Sequence, residues 1–466
     1  MRAPPVFVVV AALLWGCSAD VPSQKSHHRP SVDTDSDPTV GLAGQVDATC
    51  VPAENNTLRA DCTVTLSSAA SLVFNFGVSD QARVLTFEPA SVHTFTVTGL
   101  TAQTTYDFTA AAGGGVATGS FTTGVLNDQF PAISVTGEAT FDFLLFAHNK
   151  SVMIANTQGQ LVWYEHFLEL GDGPQKGRVT GTHWVGDGVA LGIASGLYEI
   201  GLDGTHRFES LRGVGHELPL HHDVFVRDGL RYVLNVDGYT YGDKTFAIDG
   251  FYVFDDDGLR GEWHLADHLE ADPVWTGNNI GFWNTEWPGS EDFAHSNAIF
   301  ATEDGTIMFS SRRLDNLYAI AGVDSPNFGD VLWRVNGSGG GDFTIVGAAD
   351  GKDDFNGQHH VQLHGDVLTV FDNRSGDNAR TIAMTLDHAN GTATIGEIHS
   401  LHQSCAIQGA NFTLESGNVV ATCGSDYDIY EFVGGVDEPA IWSMHVDAKV
   451  IEIPRGIPIE QLPPGW

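Results

Sequence analysis

Three histidine-led runs hold the residues of this chain best suited to chemistry. They are His221-His222-Asp223-Val224 ahead of Asp228-Gly229, His295-Ser296-Asn297-Ala298 ahead of Asp304-Gly305, and Gln358-His359-His360, which opens Gln358–Asn373. In each, histidine starts a strand-like run that ends in a Gly-containing turn and gives way to another apolar strand. Neutral imidazole is a nucleophile, a base and a metal ligand near pH 7, so three such rings brought to one place make a chemical site. Taken singly, each histidine could equally cap a turn or satisfy a buried backbone group. A fourth element, Ser310-Ser311-Arg312, closes the strand after His295. A guanidinium there would present a planar fork of donors to a tetrahedral oxyanion, or pair with one of the many nearby carboxylates. Strand alternation puts His221 and Asp223 on one face, with His222 on the other, and turns Arg313 away from Arg312.

Such residues meet only if the chain repeats. Aligned internally, His221-x-Asp223 lies over His295-x-Asn297, and His359-x-Val361 takes the same register, whereas His183 fits less well. Turns of Asp/Gln-Gly type followed by an aromatic recur at Gly159–Trp163, Asp203-Gly204, Asp257–Trp263, Gly329–Trp333 and Gly435–Trp442, with a less clear unit around Gly391–Ile398. About six units of four strands, loosely spaced, predict a six-bladed β-propeller over residues 126–464, with the histidines on the innermost strands around the axis. Ahead of it, residues 41–125 carry short alternating strands at Ala69–Phe76, Ala82–Phe87, Val92–Val97, Thr105–Ala110 and Val116–Thr122. The phrase Phe95–Phe108, followed by Gly119–Thr123, resembles a fibronectin type III or related immunoglobulin-like β-sandwich. The fold class is therefore all-β, an N-terminal β-sandwich followed by a six-bladed propeller. Fifty-four glycines and a charged fraction of only 17% suit that architecture.

Acidic residues outnumber basic ones by 59 to 22, a formal net charge of −37. A surface of that sign repels nucleic acid and anionic lipid, and an anionic substrate would need local positive groups. Residues 1–17 read as an export signal. Arg2 is its one charged side chain, Val6–Leu14 is apolar but short, and Leu14-Trp15-Gly16-Cys17 resembles a bacterial lipobox, with Cys17 as the lipidated residue. Ser18 after it implies an outer-membrane destination in the cell envelope, periplasmic or surface-exposed. Residues 18–40 are a polar, Pro/Ser/Asp-rich flexible tether. The remaining cysteines form two local pairs, Cys50 with Cys62 and Cys405 with Cys423, each flanking a turn as cross-strand disulfides would in an oxidising compartment.

The stretch Asp292–Ile382, with its H-x-N, S-S-R, W-R-x-x-G, Q-H and F-D-N elements in order, resembles the bacterial arylsulfotransferases, and the likeness extends from about Phe141 to Trp442. That resemblance implies transfer of a sulfuryl group from an aryl sulfate to a phenol without a nucleotide donor, through a sulfohistidine. It implies His359 as nucleophile, His295 and Asn297 as the H-x-N pair, Arg312 as the S-S-R arginine and His221 or His222 as the early histidine. Asp223 and His360 join the substrate-binding candidates, and Trp184, Phe282 and Trp283 are aromatics that would stack on a phenol or pack between blades. Small aromatic sulfate esters and phenols are the expected partners, with no cofactor and no metal. Whether the sandwich supports a homodimer stays open. Two other readings fit the same residues. One is a metal-dependent hydrolase or lyase with His221, His295, His359 and Asp223 as ligands. The other is a non-catalytic, surface-anchored propeller that binds a ligand or protein.

Overall fold

The computed structural model describes residues 44–79, 81–127, 129–148, 150–167, 178–269, 277, 283, 286–374, 377–435, 438–447 and 455–463. The signal with Cys17, the tether and Phe282 lie outside these residues. The described chain is all-β; its helical content is one 3-10 turn, Leu265–His268.

Residues 46–122 form one hydrogen-bonded antiparallel sheet of five strands. Its centre is the long strand Ala60–Val78, which pairs with Gln81–Val97 on one edge and with both Val46–Pro52 and Thr105–Ala112 on the other. The alternation buried–exposed along Ala60–Leu66 and Leu72–Phe76 points one face inward, where Phe74, Phe76, Phe108 and Phe121 pack together. The segments 82–87 and 92–97, separate in the sequence reading, are one strand because the long hairpin absorbs their junction as a register shift. Cys50 and Cys62 are directly opposite in the ladder and disulfide-bonded. Arg59 pairs with Glu165 at 2.7 Å and Asn56 donates to the Tyr164 carbonyl at 2.8 Å, which fastens this sheet to the next.

Six further sheets follow, each with a core of four antiparallel strands. The first takes Phe143–His148, Ser151–Asn156 and Leu161–His166 together with the C-terminal strand Gly456–Ile459. The second runs from Val179–Trp184 to His206–Leu211, the third from Leu220–Arg227 to Gly258–His264, and the fourth from Ser296–Ala301 to Val331–Asn336. The fifth runs from His359–His364 to Thr392–Ser400 and the sixth from Ala410–Thr413 to Trp442–Asp447, which Ala132–Gly137 extends. The Gly-type turns read from sequence lie at the starts of the fourth strands. The strands that begin the second to sixth sheets, together with Gly456–Ile459, are neighbours in sequence order: second on third, third on fourth, fourth on fifth, fifth on sixth, sixth on first and first on second. Apolar side chains fill the spaces between sheets, the largest group being shared by the third, fourth and fifth.

Ile457 on the C-terminal strand is opposite Leu145, and both lie in the core shared by the first and second sheets. Leu145→Ala and Ile457→Ala are each expected to cost about 2–4 kcal/mol in denaturant unfolding. Their double mutant should show a coupling of about 0.5–3 kcal/mol, whereas strict additivity would mean that the two strands are not partners in solution.

Candidate functional site

The histidine-bearing strands all carry an irregularity at the site end. In the third sheet His221 pairs with Leu234 and Val224 with Val233, leaving His222 and Asp223 bulged between them. Ser296 and Ala298 flank a bulged Asn297 in the fourth sheet, and His359 and Val361 flank a bulged His360 in the fifth. Counted from the ladder, His221 and His359 are equivalent to Ser296, so His295 sits one residue upstream of the position expected for it. Bulges re-aim side chains, here with left-handed backbone at the bulged His222 (φ 53°) and His360 (φ 51°), and His295 (φ 50°) takes the same conformation just before its strand. For non-glycine residues that conformation costs roughly 1–3 kcal/mol, a strain characteristic of functional positions. Gly181, on the neighbouring inner strand, admits the bulge of the third sheet. A Cβ there would meet the His222 carbonyl oxygen and Asp223 Cα at 2.8 Å.

The bulges settle which member of each doublet joins the cluster. His222 stands 5.1 Å, ring centre to ring centre, from His295, and it also feels the charges of His359 and Arg178. His359 lies in the field of Arg312, His295 and Arg455. His222, His295, His359 and Arg312 are therefore brought together. His221 stands behind His222, with Nε2 against the Asn235 carbonyl at 2.9 Å and Asp249 Oδ1 at 3.2 Å. His360 turns toward the sixth sheet, where its Nδ1 accepts from the Asn411 amide at 3.3 Å and its ring packs on Phe412. Asp223 is fully buried; Arg455 meets its Oδ1 at 2.7 Å and the Ile299 amide donates to Oδ2 at 2.8 Å. His360 and Asp223 are thus committed to internal contacts.

Hydrogen bonds fix the tautomers. Asn373 Nδ2 donates to the carbonyls of Cys405 and Gln408, so its Oδ1 must be the atom 2.7 Å from His359 Nδ1, which carries the proton. The lone pair of His359 is then on Nε2, where the Gln408 amide donates weakly at 3.2 Å. Asp292 Oδ2 accepts from His295 Nδ1 at 2.6 Å. Asn297 gives one amide proton to the Gln358 carbonyl, and its Oδ1 is buried without a partner. Arg312 is more than half buried, donates to the Ala406 carbonyl at 3.4 Å, and keeps a buried Nε with no acceptor among the described residues. That donor belongs to a guanidinium whose charge acts on the nucleophile candidate. The Cys405–Cys423 disulfide ties the 402–409 loop, which supplies these carbonyls and the Gln408 amide, to the end of the strand Val419–Cys423.

Sequence reasoning missed Arg455, Asp249, Asp292 and Asn373. The F-D-N element contained Asn373, and Asp292 opens the quoted stretch, but neither had a partner until strands were paired. Arg455 had no motif at all. The proposed metal ligands do not converge: among the described residues, the one His/Cys/Asp/Glu group close enough to share an ion is Cys405, Cys423 and Asp426, whose cysteines are disulfide-bonded. Trp283 packs its ring edge-on to His221 at 5.4 Å.

Residues 230–432 match the family model described as arylsulfotransferase (ASST). That segment is similar to the arylsulfotransferases. It contains His295, Arg312, His359 and Asn373, while His222 lies just ahead of it. No curated protein matches the chain. Among solved structures, a protein of unknown function from Bacteroides caccae is similar at 13% identity and TM-score 0.45, over 69% of this chain and 100% of that one. Virginiamycin B lyase from Staphylococcus aureus is similar at 12% and 0.34 over 66% and 87%, and the Pan2 WD40 domain of Neurospora crassa at 9% and 0.36 over 70% and 92%.

Burial is the main force on the imidazoles of the site. It holds His359 and His360 well below the usual 6.5, with Arg312 adding to the effect at His359 and Arg455 at His360; burial and the neighbouring histidines do the same at His222. His183, ahead of the segment, is pushed down to about 3 by burial and by Arg455. These rings are neutral in the folded protein but protonate near 6.5 when unfolded, so each contributes stability above pH 6.5 that is lost as pH falls toward its folded value. Asp223, raised to about 6 by burial against the pull of Arg455, works oppositely, since its contribution is present below 3.8 and is lost as pH rises through about 6. Four imidazoles outweigh one carboxyl. The urea midpoint is expected to fall steadily as pH is lowered from 7.5 to 5; an unchanged midpoint over that range would show that the rings are not buried neutral.

Proposed function

We propose that this protein transfers a sulfuryl group from an aryl sulfate ester to a phenolic acceptor through a sulfohistidine at His359. The observation that carries the reading is the His359 environment, a buried neutral imidazole with its proton fixed on Nδ1 by Asn373 and within the field of Arg312, inside a segment that matches the arylsulfotransferase family model. Nε2 attacks sulfur, the sulfur–oxygen bond to the aryl group breaks, and phenolate leaves. Approach of the sulfur replaces the long Gln408 contact. The sulfated ring keeps its Nδ1 proton on Asn373 Oδ1, whose dipole faces the positive charge that develops there. An entering phenol oxygen then attacks sulfur from the other side, the nitrogen–sulfur bond breaks, and the phenol proton passes to a nearby base. Charge in both steps lies on the three sulfuryl oxygens, so positioning and fixed donors matter most. Arg312 and the second amide proton of Asn297 suit that task. His222 and His295, the latter paired with Asp292, are placed to move the phenolic proton.

We also read residues 126–464 as a closed six-bladed propeller, an arrangement supported by the C-terminal strand pairing into the first sheet, and residues 41–125 as a sandwich-type domain. Two disulfides suit an oxidising compartment outside the cytoplasm, and attachment through a lipidated Cys17 is the anchoring we propose. No helix among the described residues is long and apolar enough to cross a membrane.

Wild-type protein given 4-nitrophenyl sulfate and phenol is expected to release nitrophenol and to gain one sulfuryl mass on the peptide containing His359. His359→Ala should lose the adduct and the turnover, while Arg312→Met should retain the adduct at a rate about 10²–10³ lower. A folded wild type that neither releases nitrophenol nor gains the mass would overturn the reading.

A further inference from the structure

The sulfuryl-transfer reading leaves His221 and Asp249 without a task, although both are almost wholly buried, and His221 is hydrogen-bonded to His222 while its Nε2 stands 3.2 Å from Asp249 Oδ1. We propose that Asp249, acting through His221, is the positioning residue that makes His222 the general base for the acceptor phenol; the inference rests on the reading above. The Asn235 carbonyl can only accept. His221 Nε2, 2.9 Å away, must therefore carry a proton, and Asp249 Oδ1 stands 3.2 Å from the same nitrogen. In neutral His221 the lone pair is then on Nδ1. His222 Nδ1, 2.7 Å from it, must be the donor, which leaves the lone pair of His222 on Nε2. That atom is at the end of the ring away from His221, and the ring adjoins His295 and the field of His359.

The same line has a use once a proton moves. As the phenol oxygen bonds to sulfur and the His359–sulfur bond breaks, the phenol proton passes to His222 Nε2. The surroundings of that ring, burial with His221, His295, His359 and Arg178, all oppose the resulting cation. The carboxylate that answers them through the line is Asp249, which is held in place by the Ser296 amide donating to Oδ2 at 2.8 Å. His222 can then lend its Nδ1 proton toward His221, and the charge gained by His221 faces Asp249 Oδ1, 3.2 Å from its Nε2. A buried carboxylate orienting an imidazole and stabilising its cation is the logic of a hydrolase triad, here with one extra ring in between. His295 has its own carboxylate at Asp292, so the two histidines differ in how far the charge is carried.

The test is Asp249→Asn, which keeps an oxygen for the Ser296 amide, with His221→Gln as a second variant that can still donate to the Asn235 carbonyl. Stopped-flow mixing with 4-nitrophenyl sulfate reads sulfation of His359, and discharge of the sulfo-enzyme by phenol reads the acceptor step. We expect the nitrophenol burst to stay within about threefold of wild type and discharge at pH 7 to fall about ten- to a hundredfold. The deficit should shrink as pH is raised toward the phenol pKa of about 10, where the acceptor ionises without help. A deficit that does not change with pH, or a burst and a discharge that fall together in whichever variant folds, overturns the relay. A wild type with no burst at all overturns the sulfuryl-transfer reading instead.

Discussion

The ion pair between Asp223 and Arg455 is the contact on which both the fold and the site depend. Arg455 immediately precedes the C-terminal strand of the first sheet, Asp223 belongs to the third, and the same guanidinium donates to the Asn297 carbonyl of the fourth at 3.1 Å. Both side chains are buried, so removing either would strand a charge away from water, a loss of roughly 3–5 kcal/mol in comparable pairs. The pair therefore holds three strand ends in fixed relation. It also places a permanent cation near His183, His359 and His360, where it reinforces burial in keeping the rings neutral. An imidazole that protonated could not be the nucleophile of the proposed transfer, so one contact serves geometry and the proposed reactivity together.

Strain is distributed by the same design. Regular strands would alternate their side chains and send the members of each histidine doublet to opposite faces. The bulges, with left-handed backbone at His222, His295 and His360, break that alternation at the site end while the ladders beyond remain in register. The cost is local and is supported by the packed core between sheets, which contains Phe225, Phe300 and Val361. Asn373 then completes the arrangement from the next strand end, borrowing two carbonyls of the disulfide-tied loop to orient its amide.

Much of this was legible in the sequence, for identifiable reasons. Period-two apolar runs and Gly-type turns ahead of aromatics mark strands whatever their partners are, and the turns at Gly159, Asp203 and Gly329 fall at the outermost strands. His359, His295 and Arg312 stood out because their motifs are local. The orientation within His221-His222 and His359-His360 was not legible, since a bulge depends on a second strand and on the close approach that Gly181 permits. Nor was the pairing of His295 with the ladder: internal alignment set it over His221, and the structure displaces it by one residue. Arg455, Asp249 and Asn373 act through partners distant in sequence, or through a carbonyl whose identity no side chain reveals.

The charge of the chain now has a spatial sense. A net charge of −37 would oppose capture of an anionic ester if it were spread evenly, but the acidic groups nearest the histidines are already engaged. Asp223 is held by Arg455, Asp249 by His221 and the Ser296 amide, and Asp292 by His295. Arg312 retains an unspent donor, and Arg178 and Arg455 add positive potential at His222 and His359. Because effective dielectric falls with burial, these few cations would act more strongly on the sulfuryl group of the proposed transfer than the many hydrated carboxylates outside, whose fields salt screens within about 10 Å. In the proposed transfer the local field is then positive where charge would develop in the transition state, while burial keeps the His359 lone pair free of a proton, a separation that a uniformly basic surface could not provide.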